Sequence, residues 1–371
     1  SVKARYVELC GETMDFPENG YEGEYIVDIA KELRQSQGDS LIQSGDNKTF
    51  RKAAETKIFI HIENTLQRLG LKFDEFFNEQ SLYDSGAIEN IIQDLKAKEL
   101  VYEEEGATWF KATAAGRDQD RVIIKSTGEP TYRLPDMAYH QNKLDRGFDL
   151  VIDILGADHM DAYPDVVAAV GKLGYDMDRI KVVIHQFVTL TEAGEPVKMS
   201  TRKANYVTLD ELIDEVGSDV VRYFFIMRGN NSHLNFDLKL AKDESDENPV
   251  FYLQYAHARL CNILNHAEGL GHSFNPKADI TLLVHPLEVK LIKNLLEFPN
   301  VVKKSYETLE PQTIANYLQQ IATFFHKYYA KERVVTEDTL LTAARLILVK
   351  ATKIVLQNGL NILGINAPTR M

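Results

Sequence analysis

The chain has 371 residues, a formal net charge of −13, 44% hydrophobic residues and 26% charged residues. This length favours two or three domains with a buried core, and this composition excludes disordered and fibrous classes. No apolar run of about 18 residues and no secretory signal pattern occur, so we expect no membrane span and no export. Cys10 and Cys261 form no metal-binding spacing, which favours a reducing, cytoplasmic location.

The negative charge is concentrated in the first two-thirds of the chain. Residues 241–371 carry 14 Lys and Arg against 13 Asp and Glu, whereas residues 1–240 carry 28 against 42. Because acidic surfaces repel polyanions, the last third is the better candidate for contact with nucleic acid.

The first 120 residues divide into a helical segment, residues 1–70, and a small inserted region, residues 71–120. Apolar residues recur at helical spacing in EYIVDIAKELRQ and again in TFRKAAETKIFIHIENTLQRLGL. The polar GDSLIQSGDNK between them is predicted as a loop. In the inserted region AIENIIQDLKAKEL is a predicted helix. VYEEEGATWFKATAAG is a predicted hairpin that turns at Glu105-Gly106, with Trp109 as a core anchor.

Strand and helix patterns alternate through residues 121–240. RVIIKS, FDLVIDILGADH and IKVVIHQFVTL are predicted strands, and helices are predicted from Asp136 and within YPDVVAAVGKLGY. LDELIDEVGSDVVRYFFI is predicted as one amphipathic helix. Apolar strands with helices between them predict part of a doubly wound parallel sheet of the Rossmann-like kind. Ligands of such sheets bind beyond the carboxyl ends of the strands, where Gly156-Ala-Asp-His159 lies.

Residues 241–371 are predicted to form an all-α helix bundle. A long helix begins near Asn248-Pro249, since proline suits the first turn of a helix. Further helical patterns begin at HPLEVKLIKNLL, after Pro311 and at TLLTAARLILVKATKIV. The overall expectation is an α/β catalytic region followed by a helical domain.

A cationic segment, GEPVKMSTRKANYVTL, lies between a predicted strand and a predicted helix. Lys198, Arg202 and Lys203 fall within six residues, where Gly194 and Pro196 disfavour regular helix. Such a segment suits a polyphosphate whose charge grows during reaction, and the alternative is a solvated basic turn. The Lys-Met-Ser start resembles the KMSKS-type loop of class I aminoacyl-tRNA synthetases. The Ser-Thr-Arg-Lys continuation resembles the arginyl-tRNA synthetases in particular.

The resemblance implies an ATP site on this loop. Lys198 would contact the β- and γ-phosphates, with Met199 and Ser200 beside it, while Arg202 and Lys203 add positive charge. Mg²⁺ would accompany the ATP. The family usually has Gly where this chain has Ala204, a change that would stiffen the loop.

Thr131-Tyr-Arg-Leu-Pro-Asp136 contains an aromatic residue and a carboxylate four positions apart. Tyr132 and Asp136 could hold a guanidinium by stacking and by a bidentate ion pair, and the alternative is that Asp136 is a helix N-cap. The segment resembles the arginyl-tRNA synthetase motif whose Tyr and Asp bind the side chain of L-arginine.

Two further positions follow from the resemblance. Asp158, in the turn after the second predicted strand, would lie by the amino-acid and adenylate pocket, and the alternative is a plain turn. His185 would lie near the adenine, and the alternative is a core-facing strand histidine.

The predicted helix from Asn248 resembles the opening helix of the family's anticodon-binding domain. Tyr252, Tyr255 and Arg259 share one helix face, with Gln254 beside them. Tyrosines stack on unpaired bases and Arg meets phosphate, and the alternative is that at least one tyrosine belongs to the core. The resemblance places the chain terminus, Arg370 and Met371, near the anticodon loop of tRNA(Arg).

The resemblance runs from about residue 23 to residue 371, but one element of the class is absent from the sequence. No His-x-Gly-His element, which holds ATP at a helix N-terminus, occurs. We therefore interpret the chain as the carboxy-terminal two-thirds of an arginine–tRNA ligase that acts through an arginyl-adenylate. We expect a monomer that does not activate arginine by itself.

Two alternatives to this interpretation stay open at the level of sequence. The first is a non-catalytic tRNA-binding module derived from the same synthetase. The second is a synthetase for another amino acid, cysteine being the nearest relative. Against the second, no Cys and His cluster suited to a thiol-selecting zinc ion occurs in the sequence.

Overall fold

The computed structural model describes residues 1–44, 47–192, 194–196 and 207–371. The α-helices of these residues, in chain order, are α1 (Val2–Leu9), α2 (Glu24–Gln37), α3 (Ser40–Ser44), α4 (Asn47–Arg68), α5 (Gln80–Asp84), α6 (Ala87–Ala97), α7 (Arg133–Asp145), α8 (Tyr163–Leu173), α9 (Leu209–Val216), α10 (Ser218–Ile226), α11 (Leu238–Ala241), α12 (Pro249–Gly269), α13 (Pro286–Leu296), α14 (Phe298–Thr308), α15 (Gln312–Tyr329) and α16 (Thr339–Ile362). The strands are β1 (Val101–Glu104), β2 (Ala107–Phe110), β3 (Arg121–Ile124), β4 (Val151–Gly156), β5 (Ile180–His185), β6 (Val188–Glu192), β7 (Glu195–Pro196) and β8 (Leu234–Asp237).

The chain divides into two compact units. The first contains residues 1–72, 189–229 and 235–371, and the second contains residues 73–188 and 230–234. The mixed α/β class with a helical carboxy-terminal part agrees with the sequence-based prediction.

The second unit is built around one apolar core shared by its helices and both of its sheets. Phe110 of β2, Ile123 of β3, and Leu134 and Met137 of α7 are fully buried in this core, together with Ala169 of α8. Helix α7 packs against α8 and α6. The inserted region and the strands that follow it are therefore held together by a common interior.

Two predictions for the inserted region and the strand that follows it need correction. Strand β3 was expected in the parallel sheet, but it pairs antiparallel with β2 and completes the three-stranded sheet β1-β2-β3. Trp109 was expected in the core, but strand alternation points Phe110 inward, and Trp109 is half-buried against Tyr102. The predicted turn at Glu105-Gly106 is confirmed, with Gly106 at φ 76°.

The parallel sheet of the described residues consists of β4 and β5. These strands pair in register from Val151 with Ile180 to Gly156 with His185. Burial alternates along β4, and Ile152 and Ile154 are 43% and 71% exposed. The apolar run therefore does not correspond to a strand covered on both faces, as its composition had predicted.

The first unit contains a small amino-terminal helical cluster and the carboxy-terminal helix bundle. Helices α1, α2 and α4 share a core in which the ring of Tyr6 contacts Phe50 edge-on. Strands β6, β7 and β8 form a three-stranded sheet in the order β7-β6-β8. Helices α12, α15 and α16 pack against one another and bury Leu318, Ile321 and Leu356.

Arg222 of α10 links two helix ends of the first unit. Its guanidinium donates to the carbonyl oxygen of Leu69, after α4, at 2.7 Å and to that of Leu363, after α16, at 3.0 and 3.2 Å. Gly364 lies directly against this guanidinium with φ at 68°. A side chain at position 364 would meet both a steric and a conformational obstacle.

Three further predictions were wrong in detail. Residues Ser40–Ser44 of the predicted loop are helical, while residues 45 and 46 lie outside the described part. The predicted strand IKVVIHQFVTL is two strands, since β5 ends at His185 and β6 begins at Val188. The predicted helix LDELIDEVGSDVVRYFFI is split into α9 and α10 because Gly217 adopts φ 83°.

No helix within the described ranges is long and apolar enough to cross a membrane.

Candidate functional site

The start of α7 presents an aromatic ring and a carboxylate on neighbouring turns. Tyr132 precedes the helix and is 89% exposed. Asp136 is half-buried in the first turn, and no side chain among the described residues donates a hydrogen bond to its carboxylate. Asp136 is not the N-cap, because Tyr132 occupies that position and forms no side-chain cap. The carboxylate is therefore available to a ligand.

Burial sets the electrostatic state of Asp136. Desolvation raises the pKa of its carboxyl, and the positive charges of His140, His159 and Lys143 oppose that shift without cancelling it. The attraction between a partly buried carboxylate and an incoming cation is stronger than that of a fully solvated carboxylate, because less water screens the two charges.

A cluster that the sequence analysis missed lies one to two turns further along α7. His140 contacts the backbone oxygen of Asp136 through Nδ1 at 2.8 Å and the carboxylate of Asp153 through Nε2 at 2.9 Å. Lys143 donates to the other oxygen of Asp153. The signal in the sequence was a lone aspartate inside the apolar strand VIDIL, which requires a buried partner.

A buried carboxylate also organises the surroundings of α7. Asp165 of α8 is fully buried and accepts hydrogen bonds from Arg117, Arg121 and Arg133 at 2.9, 2.9 and 3.0 Å. Burial alone would raise the pKa of Asp165, but the three guanidiniums outweigh burial and lower it. No local pattern in the sequence indicates this cluster, because its members are up to 48 residues apart.

The carboxyl ends of β4 and β5 lie side by side, as the parallel arrangement predicted. Asp158 follows β4 and is exposed, with one carboxylate oxygen 4.0 Å from Nε2 of His159. His185 ends β5 opposite Gly156, is half-buried, and contacts the backbone oxygen of Gln186 through Nδ1 at 2.8 Å. Asp158 and His185 thus occupy one edge of the same sheet.

The cationic loop falls on residues that the structure does not describe. Lys198, Met199, Ser200, Arg202 and Lys203 belong to residues 197–206, which lie outside the described part of the chain. Helix α9 begins shortly after this segment with a capping box, in which Thr208 and Glu211 exchange hydrogen bonds.

The predicted aromatic face of α12 borders two clefts in the helix bundle. Tyr255, Arg259 and Tyr329 line both clefts, which have volumes of about 730 and 580 Å³. Met371 lines the larger cleft, and Tyr252 lines the smaller one. The chain terminus and the aromatic face thus meet at one surface.

The rings of this surface contact one another. The guanidinium of Arg259 lies 4.7 Å from the ring centroid of Tyr329 and 5.6 Å from that of Tyr255. His326 stacks on Tyr255 and contacts Tyr252, with centroid distances of 5.9 and 4.9 Å. Tyr329 and His326 come from α15, and single-sequence analysis missed them because they become neighbours of α12 only in the bundle.

The electrostatic state of His326 follows from its position. Burial, and then the charge of Arg259, lower the pKa of its imidazole, so the ring is neutral at pH 7. The surface therefore combines the cation of Arg259 with several uncharged rings, a composition that suits base stacking and phosphate contact.

Gln254 and Arg370, which were also predicted to contact tRNA, lie in different surroundings from each other. The side-chain amide of Gln254 donates to Asp219 at 2.8 Å and to the backbone oxygen of Asn366 at 3.0 Å. Gln254 thereby links α12 to α10 and to the chain terminus. Arg370 is exposed.

Comparison with known proteins gives the class of the molecule. A family model described as "tRNA synthetases class I (R), catalytic domain" matches residues 19–237, and one described as "DALR anticodon binding domain" matches residues 253–371. The fold and the motifs thus define a class I tRNA synthetase with a helical anticodon-binding domain.

Individual relatives specify the family. The arginine–tRNA ligase of Salinibacter ruber is 50% identical, over 100% of this chain and 69% of that protein. A Campylobacter jejuni structure assigned as an arginyl-tRNA synthetase is 31% identical, with a TM-score of 0.88 over 100% of this chain and 80% of that chain. The Thermus thermophilus arginyl-tRNA synthetase, 20% identical over 100% and 73% of the two chains, has the same fold with a TM-score of 0.78.

The chain belongs to the arginyl-tRNA synthetases, the class I arginine–tRNA ligases. The resemblance stated from the sequence is confirmed. Enzymes of this family use ATP, arginine and tRNA, and these are the partners predicted for the chain.

Proposed function

We propose that Tyr132 and Asp136 bind the side chain of L-arginine for its ATP-dependent attachment to tRNA(Arg). The observation that carries this proposal is the half-buried carboxylate of Asp136, which has no hydrogen-bond donor among the described residues and stands four positions after the exposed ring of Tyr132. A guanidinium can donate two hydrogen bonds to the carboxylate while its flat face stacks on Tyr132. Asp158 belongs to the same proposal as a contact of the amino-acid and adenylate pocket.

The resemblance assigns contacts with ATP to His185 and to the cationic loop. The arginine carboxylate attacks the α-phosphorus, and pyrophosphate leaves with increasing negative charge. Lys198 and its neighbours Met199 and Ser200 contact the phosphates, and Arg202 and Lys203 add positive charge. The contribution is electrostatic, and no side chain forms a covalent bond. Mg²⁺ bound to ATP would share in neutralising the charge of its phosphates.

The proposed tRNA site is the bundle surface around α12. Tyr252 and Tyr255 stack on unpaired anticodon bases, Arg259 contacts phosphate, and Arg370 and Met371 flank them. Gln254 also belongs to this proposed site, because its side-chain amide links α12 to the last residues of the chain.

The domain boundaries proposed from the sequence assign one task to each segment. Residues 1–70 are a helical connecting segment of the catalytic region, and residues 71–120 form the inserted region. Residues 121–240 contain the proposed arginine site and the cationic loop, and residues 241–371 bind the anticodon.

We also propose a monomer that acts in the cytoplasm with tRNA. Light scattering on an eluting size-exclusion peak measures the mass directly, and a dimer mass contradicts the monomer.

Calorimetric titration with L-arginine tests the amino-acid site. We expect binding to the wild-type chain, loss of binding in Asp136→Asn, and no binding of L-citrulline, which has the shape of arginine without its charge. Asp149→Asn, which removes an exposed carboxylate of the same unit, serves as the matched control and retains binding. Equal binding of L-citrulline and L-arginine contradicts a site built on charge pairing.

Filter binding with tRNA(Arg) tests the anticodon site separately. We expect Tyr255→Ala to weaken binding by about 1–3 kcal/mol, the usual value of one base–aromatic stack. Phe274→Ala, an exposed ring of the same unit outside both clefts, is the control. Unchanged binding by Tyr255→Ala refutes the assignment.

We further propose that residues 1–371 alone do not activate arginine, because no His-x-Gly-His element occurs in this sequence. Arginine-dependent exchange of pyrophosphate into ATP is the assay. Exchange above background by the purified chain overturns this proposal. Binding of tRNA without exchange is the behaviour expected of a non-catalytic tRNA-binding module.

A further inference from the structure

The cations nearest to Asp136 along α7 all have other partners. Arg133, His140 and Lys143 stand at positions i−3, i+4 and i+7 relative to Asp136, and side chains at such spacings lie on the same side of a helix. An acidic side chain with these neighbours ordinarily forms an ion pair with one of them. Asp136 forms none within the described residues.

Asp153 holds two of the three cations. Its two carboxylate oxygens meet His140 Nε2 at 2.9 Å and Lys143 Nζ, and both the lysine and the aspartate are about nine-tenths buried, with side chains 12% exposed. Burial alone would raise the pKa of Asp153, but the hydrogen bonds from His140 and Lys143 outweigh burial and lower it. The pairing of these two cations with Asp153 is therefore favourable.

The third cation, Arg133, forms an ion pair with Asp165. Arg133 directs Nε to Asp165 at 3.0 Å and Nη2 to Asp161 at 3.3 Å. The Asp165 side chain is completely buried, whereas the Asp161 side chain is 79% exposed. Arg133 is thereby turned toward α8 and not toward the carboxylate three residues further along its own helix.

From this arrangement we infer that Asp153 and Asp165 are positioning residues that keep the chain's own cations off Asp136, so that its carboxylate stays open to a substrate guanidinium. The inference rests on the proposed arginine site. A tethered lysine or arginine has a high effective concentration at Asp136, and any cation that pairs there competes with the substrate. If a freed Lys143 occupied Asp136 in about nine molecules of ten, the apparent dissociation constant for arginine would rise about tenfold.

Asp153 offers the cleaner test, because Asp165 supports three arginines and its loss threatens folding. In Asp153→Asn the positive charge of Lys143 loses its partner. We expect calorimetric titration with L-arginine to show affinity reduced about tenfold in this variant. Adding Lys143→Met to Asp153→Asn removes the competitor and restores affinity to within about twofold of the wild type. Lys143→Met alone is the control and binds as the wild type does.

A second measurement needs no substrate. Carbon NMR of the Asp136 carboxyl during a pH titration reports whether a cation is paired with it. We expect the pKa of Asp136 to fall in Asp153→Asn, and not to fall when Lys143→Met is also present. The double variant loses both the repulsion from the Asp153 charge and the attraction of the Lys143 charge, and the Lys143 charge has the larger effect on the pKa of Asp136.

The outcomes separate the inference from the proposed function. If Asp153→Asn and the double variant bind arginine equally poorly, Asp153 is merely structural and the inference fails while the arginine site stands. If the wild type binds no arginine, the proposed site fails, and the NMR comparison then decides the inference alone. Equal pKa values for Asp136 in the single and double variants refute it.

Discussion

The buried ion network of the helix bundle predicts a large, specific loss of stability in Arg345→Met. Arg345 donates from Nε to Glu288 at 2.7 Å, from Nη2 to Glu332 at 2.8 Å and from Nη1 to the backbone oxygen of Arg333 at 2.6 Å. The side chains of Arg345 and Glu288 are 7% and 1% exposed. Glu288 also completes the capping box at the start of α13, where it accepts from the backbone nitrogen of His285.

Removing the arginine leaves the Glu288 charge buried without a counter-ion. Breaking a buried pair on one side costs about 3–5 kcal/mol, more than most single substitutions. We expect Arg345→Met to lower the free energy of unfolding by about this amount. Urea unfolding followed by far-ultraviolet circular dichroism measures the change, since the bundle contributes much of the helical signal.

Two comparisons make the result interpretable. Lys331→Met removes an exposed cation nearby, and we expect a change within about 0.5 kcal/mol. Adding Glu288→Met to Arg345→Met removes both charges, and we expect recovery of part of the loss, because the lone buried charge is gone while the capping box of α13 is lost with it. A loss below about 1 kcal/mol in Arg345→Met, or a double variant as unstable as the single one, refutes the reasoning.

Three further predictions concern stability and pH. Gly364→Ala places a methyl group against the Arg222 guanidinium at φ 68°, and we expect the free energy of unfolding to fall by about 1–3 kcal/mol. Thermal unfolding should show a lower midpoint than in the control Asn361→Ala, and an unchanged midpoint contradicts the packing argument. Asp136→Asn should raise stability at pH 7 by about 0.5–1 kcal/mol while abolishing arginine binding, because burial disfavours the charged carboxylate. That gain should vanish below about pH 4, where the unfolded chain also holds the proton, and a gain independent of pH in thermal scans contradicts it. The pKa of Asp165 is lowered, so the stability that its ionised carboxylate contributes is present at neutral pH and is lost as pH falls below about 4. Because Arg117→Met weakens the cluster, acid unfolding of this variant should begin at a higher pH than that of the wild type. An unshifted acid transition refutes this prediction.

Sequence patterns determined most of the helices and the identity of the family. Apolar spacing in α4, α12, α15 and α16 is local and strong, and Asn248-Pro249 marks the start of α12. The motifs at Tyr132 and Lys198 are short and contiguous, so one sequence was enough to recognise them. These features need only local physics or a linear pattern.

Tertiary structure decided the pairing of strands and the partners of charges. Strand β3 has the composition of a buried parallel strand, yet hydrogen bonding to β2 places it in the antiparallel sheet. The link between Asp165 and Arg117 spans 48 residues, and His326 reaches Tyr252 only after α15 packs on α12. Such contacts depend on which faces the core brings together, and no periodicity within one segment encodes them. The open carboxylate of Asp136 is the clearest example, because the sequence supplies its neighbours and the fold alone turns them away.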